Sequence, residues 1–144
     1  MKPGKLLVCV VLAFMLAACT SAAERKHDKE SATRGAMSYT ELGIEYYRQG
    51  RLELSRTKLE KALELDPDLS QAHGAIAVLY EKVGDNKLAE KHYKKALRLS
   101  PDNAREQNNY GQVLCFQERY QGATEEFMKA ARNPVSAAPQ VPYS

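Results

Sequence analysis

The stretch Ser70–Asn103, SQAHGAIAVLYEKVGDNKLAEKHYKKALRLSPDN, decides the fold. Displaced by 34 residues in either direction, it nearly overlays its flanks. Ala62 falls on Ala96 and Ala130, Leu59 on Tyr93 and Phe127, and Tyr46 on Tyr80 and Leu114. A fixed period that returns small and large apolar residues to the same slots marks an array of helix–turn–helix units. Within this stretch Gly84 and Asp85 divide two amphipathic segments, and Pro101 ends the second, because the residue before a proline is pushed out of the helical region.

Working outward, the same division predicts six helices. The pairs are about Ser38–Gln49 with Leu52–Leu65, Ser70–Val83 with Asn86–Leu99, and Ala104–Gln117 with Tyr120–Arg132. Gly50 and Gly84 serve the first two turns, and Glu118 stands where the third would have glycine. Asp85 is expected to cap the helix it precedes, and Asp68 and Asp102 the helices after the two prolines. Gly43, Ala77 and Gly111 are small because paired helices cross there, while the tyrosines and Phe127 fill the remaining core. His73 holds one of the large packing slots.

On these slots the chain resembles the tetratricopeptide repeat family. They read Tyr39, Leu42, Gly43, Tyr46, Ser55, Leu59, Ala62 and Pro67, then His73, Ile76, Ala77, Tyr80, Ala89, Tyr93, Ala96 and Pro101. The third set is Gln107, Tyr110, Gly111, Leu114, Ala123, Phe127 and Ala130, with Pro134 one place early. The resemblance implies an all-α, right-handed solenoid of three repeats, over residues 36–69, 70–103 and 104–134. Arrays of this kind usually end on a helix with a polar outer face. Residues 135–144, with two further prolines and no amphipathic period, offer none and are expected to form an irregular tail, as in a shortened array.

The amino terminus carries a different signal. Lys2 and Lys5 precede the apolar run Leu6–Leu16, which is shorter than the about 20 residues a membrane helix needs and reads as a signal peptide over residues 1–18. Leu16-Ala17-Ala18-Cys19 looks like a bacterial lipobox, which implies an acylated Cys19 at the mature amino terminus. Thr20 follows rather than aspartate, and the implied address is the periplasmic face of the outer membrane. Residues 19–35 lack large apolar side chains and are expected to be a flexible tether.

Composition narrows the function. The net charge is +3, but without Lys2 and Lys5 the remainder carries 19 basic against 18 acidic residues, which gives no footprint for nucleic acid. The basic run Lys87, Lys91, Lys94, Lys95 and Arg98 reads as a solvated helix face. No phosphate-binding glycine loop, paired Cys-x-x-Cys or His-Glu-x-x-His motif is present, and no nucleophile is matched with a base. An enzyme, a metal site, a bound cofactor (other than lipid on Cys19) and a small-molecule substrate are therefore not expected. Cys115 reads as a lone thiol.

What remains is protein binding. In arrays of this family the first helix of each repeat lines a groove suited to an extended or helical peptide. The corresponding positions are Met37, Thr40, Ile44, Tyr47 and Arg48, then Gln71, Gly74, Val78, Glu81 and Lys82. The third repeat adds Arg105, Asn108, Gln112, Cys115 and Phe116. Repeats that clamp a chaperone's terminal carboxylate use lysine and asparagine where this chain has Thr40 and Ile44, which disfavours that specialised reading.

Asn108–Pro134, NNYGQVLCFQERYQGATEEFMKAARNP, together with the lipobox, is similar to the repeat-containing type IV pilus biogenesis and stability lipoproteins, the pilotins. That resemblance implies an outer-membrane lipoprotein that promotes targeting and assembly of the pilus secretin, its expected partner. It also implies that Cys115 pairs with a cysteine one repeat later, beyond Ser144. The competing expectation is a general periplasmic adaptor that scaffolds cell-wall or envelope enzymes.

Overall fold

The structure is a computed structural model that describes the backbone of residues 3–132 and the side chains of residues 25–132. The expectations for acylation at Cys19 and for the tail after Pro134 lie outside what is described. Among the described residues there are six helices and no strand: α1 (Pro3–Arg48), α2 (Leu52–Leu65), α3 (Ser70–Lys82), α4 (Asn86–Leu99), α5 (Ala104–Phe116) and α6 (Tyr120–Arg132). By its internal contacts the chain divides into Met1–Arg34 and Gly35–Ser144. None of the helices, over the described residues, is long and apolar enough to cross a membrane.

One boundary departs from expectation. The stretch anticipated as a flexible tether is helical, and α1 begins at Pro3 rather than near Ser38. The composition explains this. No glycine or proline interrupts the chain between Gly4 and Gly35, proline is tolerated in a first helical turn, and Lys26 and Glu30 form an exposed i,i+4 pair at 4.0 Å. Low hydrophobicity removes a reason to pack, not a reason to be helical.

In the second unit, the end of α1 packs on α2, α3 on α4 and α5 on α6 as three antiparallel hairpins, and consecutive hairpins meet through α2 with α3 and α4 with α5. The packing follows the small slots. A Cβ on Gly43 would lie 2.6 Å from Leu59 Cγ, and one on Gly111 2.6 Å from Phe127 Cε1, so each glycine admits a large side chain of the opposite helix. Leu59, Ile76 and Leu79 form one core cluster at the first junction. Tyr93, Tyr110, Val113 and Leu114 dominate the second. Cys115 is half-buried against that second cluster, with a free thiol.

The three hairpin turns share one hydrogen-bond pattern. Arg51 N donates to Tyr46 O, Asp85 N to Tyr80 O and Arg119 N to Leu114 O, each at 2.9 Å, and the preceding residue donates to the carbonyl three back. This pair of hydrogen bonds closes a helix whose next residue is left-handed. Gly50 and Gly84 meet that requirement at φ 71° and 81°, but Glu118 adopts φ 59° with a full side chain.

Caps are divided. Asp85 accepts from Leu88 N and caps α4 as expected. The other two expected caps are corrected. Leu69 occupies the N-cap of α3 without a side-chain bond, and Asn103, not Asp102, caps α5 by accepting from Glu106 N. In each case the N-cap position falls one residue after the aspartate, and Asp68 instead pairs with Lys95 of α4 at 2.5 Å.

Candidate functional site

The three first-of-pair helices, α1, α3 and α5, lie side by side and enclose a recess. It is lined by Ile44, Tyr47, Leu59, Gln71, Gly74, Ala75, Val78, Arg105, Glu106 and Asn109, and holds about 400 Å³ of open space including its mouth. Its walls are mostly apolar: Ile44, Leu59, Ala75 and Val78 contribute hydrocarbon, and the rings and amides of Tyr47, Gln71 and Asn109 supply a polar edge.

Of the residues expected in the groove, Ile44, Tyr47, Gln71, Gly74, Val78 and Arg105 meet here. Thr40 does not, and its assignment is corrected: it is fully buried, and its hydroxyl donates to Ala36 O at 2.8 Å. That bond turns it back along α1, as hydroxyl side chains within helices commonly do. Met37, Arg48, Lys82, Asn108, Gln112 and Phe116 are exposed outside the recess lining, with Phe116 76% accessible. Asn109 lines the recess where Asn108 was anticipated, since it stands one helical turn (i,i+4) from Arg105 on the same face of α5.

The floor is where sequence reasoning missed most. Glu106 is 1% exposed, yet among the described residues its carboxylate carries one partner, Arg105, whose Nε donates to Oε1 at 3.2 Å. Oε2 accepts no hydrogen bond. Burial raises the Glu106 carboxyl above its ordinary value against the opposing pull of Arg105. The carboxylate lies on the bare backbone of Gly74, where a Cβ would come within 2.3 Å of Oε1 and 2.6 Å of Oε2. Two signals in the sequence pointed this way. Glu106 occupies the slot held by Ser38 and Ala72 in the earlier repeats, and Gly74 sits inside a helix, where glycine is destabilising by roughly 1 kcal/mol relative to alanine.

Glu81 stands behind this site. Its carboxylate accepts from Tyr93 Oη at 3.0 Å. Burial raises it above its usual value, outweighing that bond. Its charge, after burial itself, helps push up the Tyr47 hydroxyl.

The two histidines of the second repeat occupy the far side of α3. Pro67 O can only accept, so the 3.0 Å contact places the proton of His73 on Nε2. His73 Nδ1 is then an acceptor, and His92 Nδ1, 2.9 Å away, donates to it. Tyr80 stacks on His92 with ring centroids 5.6 Å apart. This is a packed pair, as expected of the slot His73 holds. The basic run on α4 is likewise partly paired, with Lys94 2.6 Å from Glu90 and Lys95 on Asp68.

Comparison with known proteins agrees with this architecture. A family model described as tetratricopeptide repeat matches residues 40–104 and 75–142. The type IV pilus assembly protein PilF of Pseudomonas aeruginosa is 35% identical over 125 residues, covering 85% of this chain and 50% of that protein. A solved structure from the functional characterisation of Pseudomonas aeruginosa pilF superposes with a TM-score of 0.70 at 36% identity, covering 73% of this chain and 47% of that one. PilW, titled a widely conserved type IV pilus biogenesis factor, gives a TM-score of 0.68 at 30% identity, covering 72% and 48%. The chain thus spans about half the length of these relatives.

Proposed function

The chain belongs to the tetratricopeptide repeat family, and from that premise we propose that it serves type IV pilus biogenesis as a lipid-anchored protein-binding module. In this reading Cys19 is acylated and holds the module at the periplasmic face of the outer membrane. The groove formed by α1, α3 and α5 grips subunits of the pilus secretin and promotes their targeting and assembly. The observation that carries the reading is the recess itself: an apolar-walled, polar-edged cleft on the helices that bind peptides in such arrays, in a chain 35% identical to a pilus assembly protein. The work required is recognition rather than bond making. An extended segment laid along the cleft exchanges water for apolar wall and hydrogen-bonds to Gln71, Asn109 and Arg105.

The anchor supplies location and the groove supplies grip. One acyl chain binds membranes only marginally, so stable anchoring implies several chains on Cys19. Membrane fractions from cells with and without the protein, blotted for secretin in unheated samples, test the proposal. The expected result is co-fractionation with the outer membrane, and secretin multimers that disappear in its absence. Cys19→Ser is expected to abolish the co-fractionation. Multimers that persist unchanged without the protein would sink the secretin reading in favour of a general envelope adaptor.

A further inference from the structure

We propose that the recess between α1, α3 and α5 is a specificity pocket for one lysine side chain of the bound segment, with its ammonium on Glu106 Oε2 and its methylene stem along Ile44, Leu59, Ala75 and Val78. This rests on the peptide-groove reading above and adds to it the chemistry of the residue recognised. The argument begins with what is unpaired. A carboxylate as buried as Glu106 is normally satisfied on both oxygens, yet Oε2 accepts nothing while Oε1 is held by Arg105. The charge balance points the same way. In the lining Arg105 and Glu106 balance one to one, and the charge of Glu81, felt at Tyr47, adds a negative contribution from behind the wall.

Shape then separates lysine from its alternatives. The walls are hydrocarbon, which suits a side chain that buries an apolar stem and carries charge only at its tip. Arginine recognises carboxylates best through two parallel bonds to both oxygens, but one oxygen here is already engaged. A single available oxygen matches the compact ammonium of lysine, a point charge with rotatable donors. Gly74 completes the site, since any side chain there would strike the carboxylate. Oε2 is itself covered, so engagement includes a rotamer change at Glu106, a common adjustment at interfaces.

The probe is a positional-scanning library of acetylated, amidated heptapeptides presented to the purified full chain, followed by fluorescence anisotropy with the best sequence. Lysine is expected to be enriched at one position. Replacing that lysine by norleucine should weaken binding about tenfold or more, as loss of a charge-assisted hydrogen bond does, and arginine should fall between them. Glu106→Gln, checked for its fold by circular dichroism, should abolish the preference for lysine over norleucine. If that variant does not fold, the lysine–norleucine comparison on the unaltered chain decides by itself. Peptide binding with no lysine preference, or a preference that survives in folded Glu106→Gln, overturns the lysine pocket and leaves the groove. Failure of every peptide to bind overturns the groove reading as well.

Discussion

His73 and Gln107 occupy the same slot in consecutive repeats and do the same thing with different chemistry. Each reaches back to the carbonyl of the proline that closed the previous hairpin: His73 Nε2 to Pro67 O at 3.0 Å, and Gln107 Nε2 to Pro101 O at 2.7 Å. The amide donates at any pH. The imidazole also depends on a second ring, since His73 must stay neutral to accept from His92. The surroundings differ in the same sense. The first junction is built mainly from Leu59, Ile76 and Leu79. The second adds a polar knot in which Tyr110 Oη and Arg119 Nη1 both donate to Glu90 Oε1, at 3.1 and 2.8 Å. Two geometrically equivalent junctions can therefore have unlike dependence on solvent conditions.

The largest effect that can break this comparison lies in the apolar junction. Leu59→Ala removes a side chain 1% exposed at its centre, and chemical denaturation should show a loss of about 2–5 kcal/mol. A loss below about 1 kcal/mol would mean that hydrocarbon does not dominate there. Next comes Glu90→Gln, expected to cost about 1–2 kcal/mol by weakening charge-assisted bonds at the second junction. Although partial burial opposes it, bonding from Arg119 and Lys94 holds the Glu90 carboxyl down to about 2. Its contribution is therefore complete above its ordinary value of 4.5 and lost as pH falls toward about 2. The Gln variant should flatten the stability profile in that window.

The histidine pair sharpens the contrast at higher pH. Burial, then the neighbouring His73 and Lys91, push His92 down to about 4, and burial also lowers His73. An unfolded chain takes up these protons near 6.5 while the folded one resists, so stability present above about pH 6.5 is lost on descent toward about 4. His92→Gln should remove much of that slope without changing the one attributed to Glu90. A slope unchanged by the substitution would detach the pair from the first junction's acid response. The smallest expected effect is a gain: Glu118→Gly relieves a left-handed residue. Left-handed strain of about 1–2 kcal/mol, offset by glycine's unfolded-state entropy of about 0.4–1 kcal/mol, leaves a net stabilisation of about 0.5 kcal/mol, visible as a higher denaturation midpoint.

The fold was legible because the period was. Once Ala62, Ala96 and Ala130 are aligned, the bounds of α2, α4 and α6 follow from turns and prolines that act locally. The groove was legible only where one helix face is enough to define it, as at Ile44, Tyr47 and Val78. Thr40 was misassigned because periodicity gives direction but not whether a hydroxyl folds back on its own helix. Glu106 was missed because a glutamate on a helix is ordinarily exposed. Its burial is set by the approach of a second helix over Gly74, a tertiary fact that no single-helix pattern contains. The helical stretch before Ser38 was missed for the opposite reason: it is local structure in a segment assessed only for its ability to pack.

The reach of His73 and Gln107 to the preceding prolines also bears on how such arrays grow. The second hairpin begins with a plug, His73, and ends with a socket, Pro101 O, and the socket is a backbone carbonyl that proline cannot turn into helix. A segment duplicated in frame over one period brings both ends with it and can join its neighbour at once. Histidine or glutamine can serve as the plug because the socket asks only for one donor at the right height. Copying such a unit is then a smaller evolutionary step than building a new interface, and the plug stays open to drift in its sensitivity to acid.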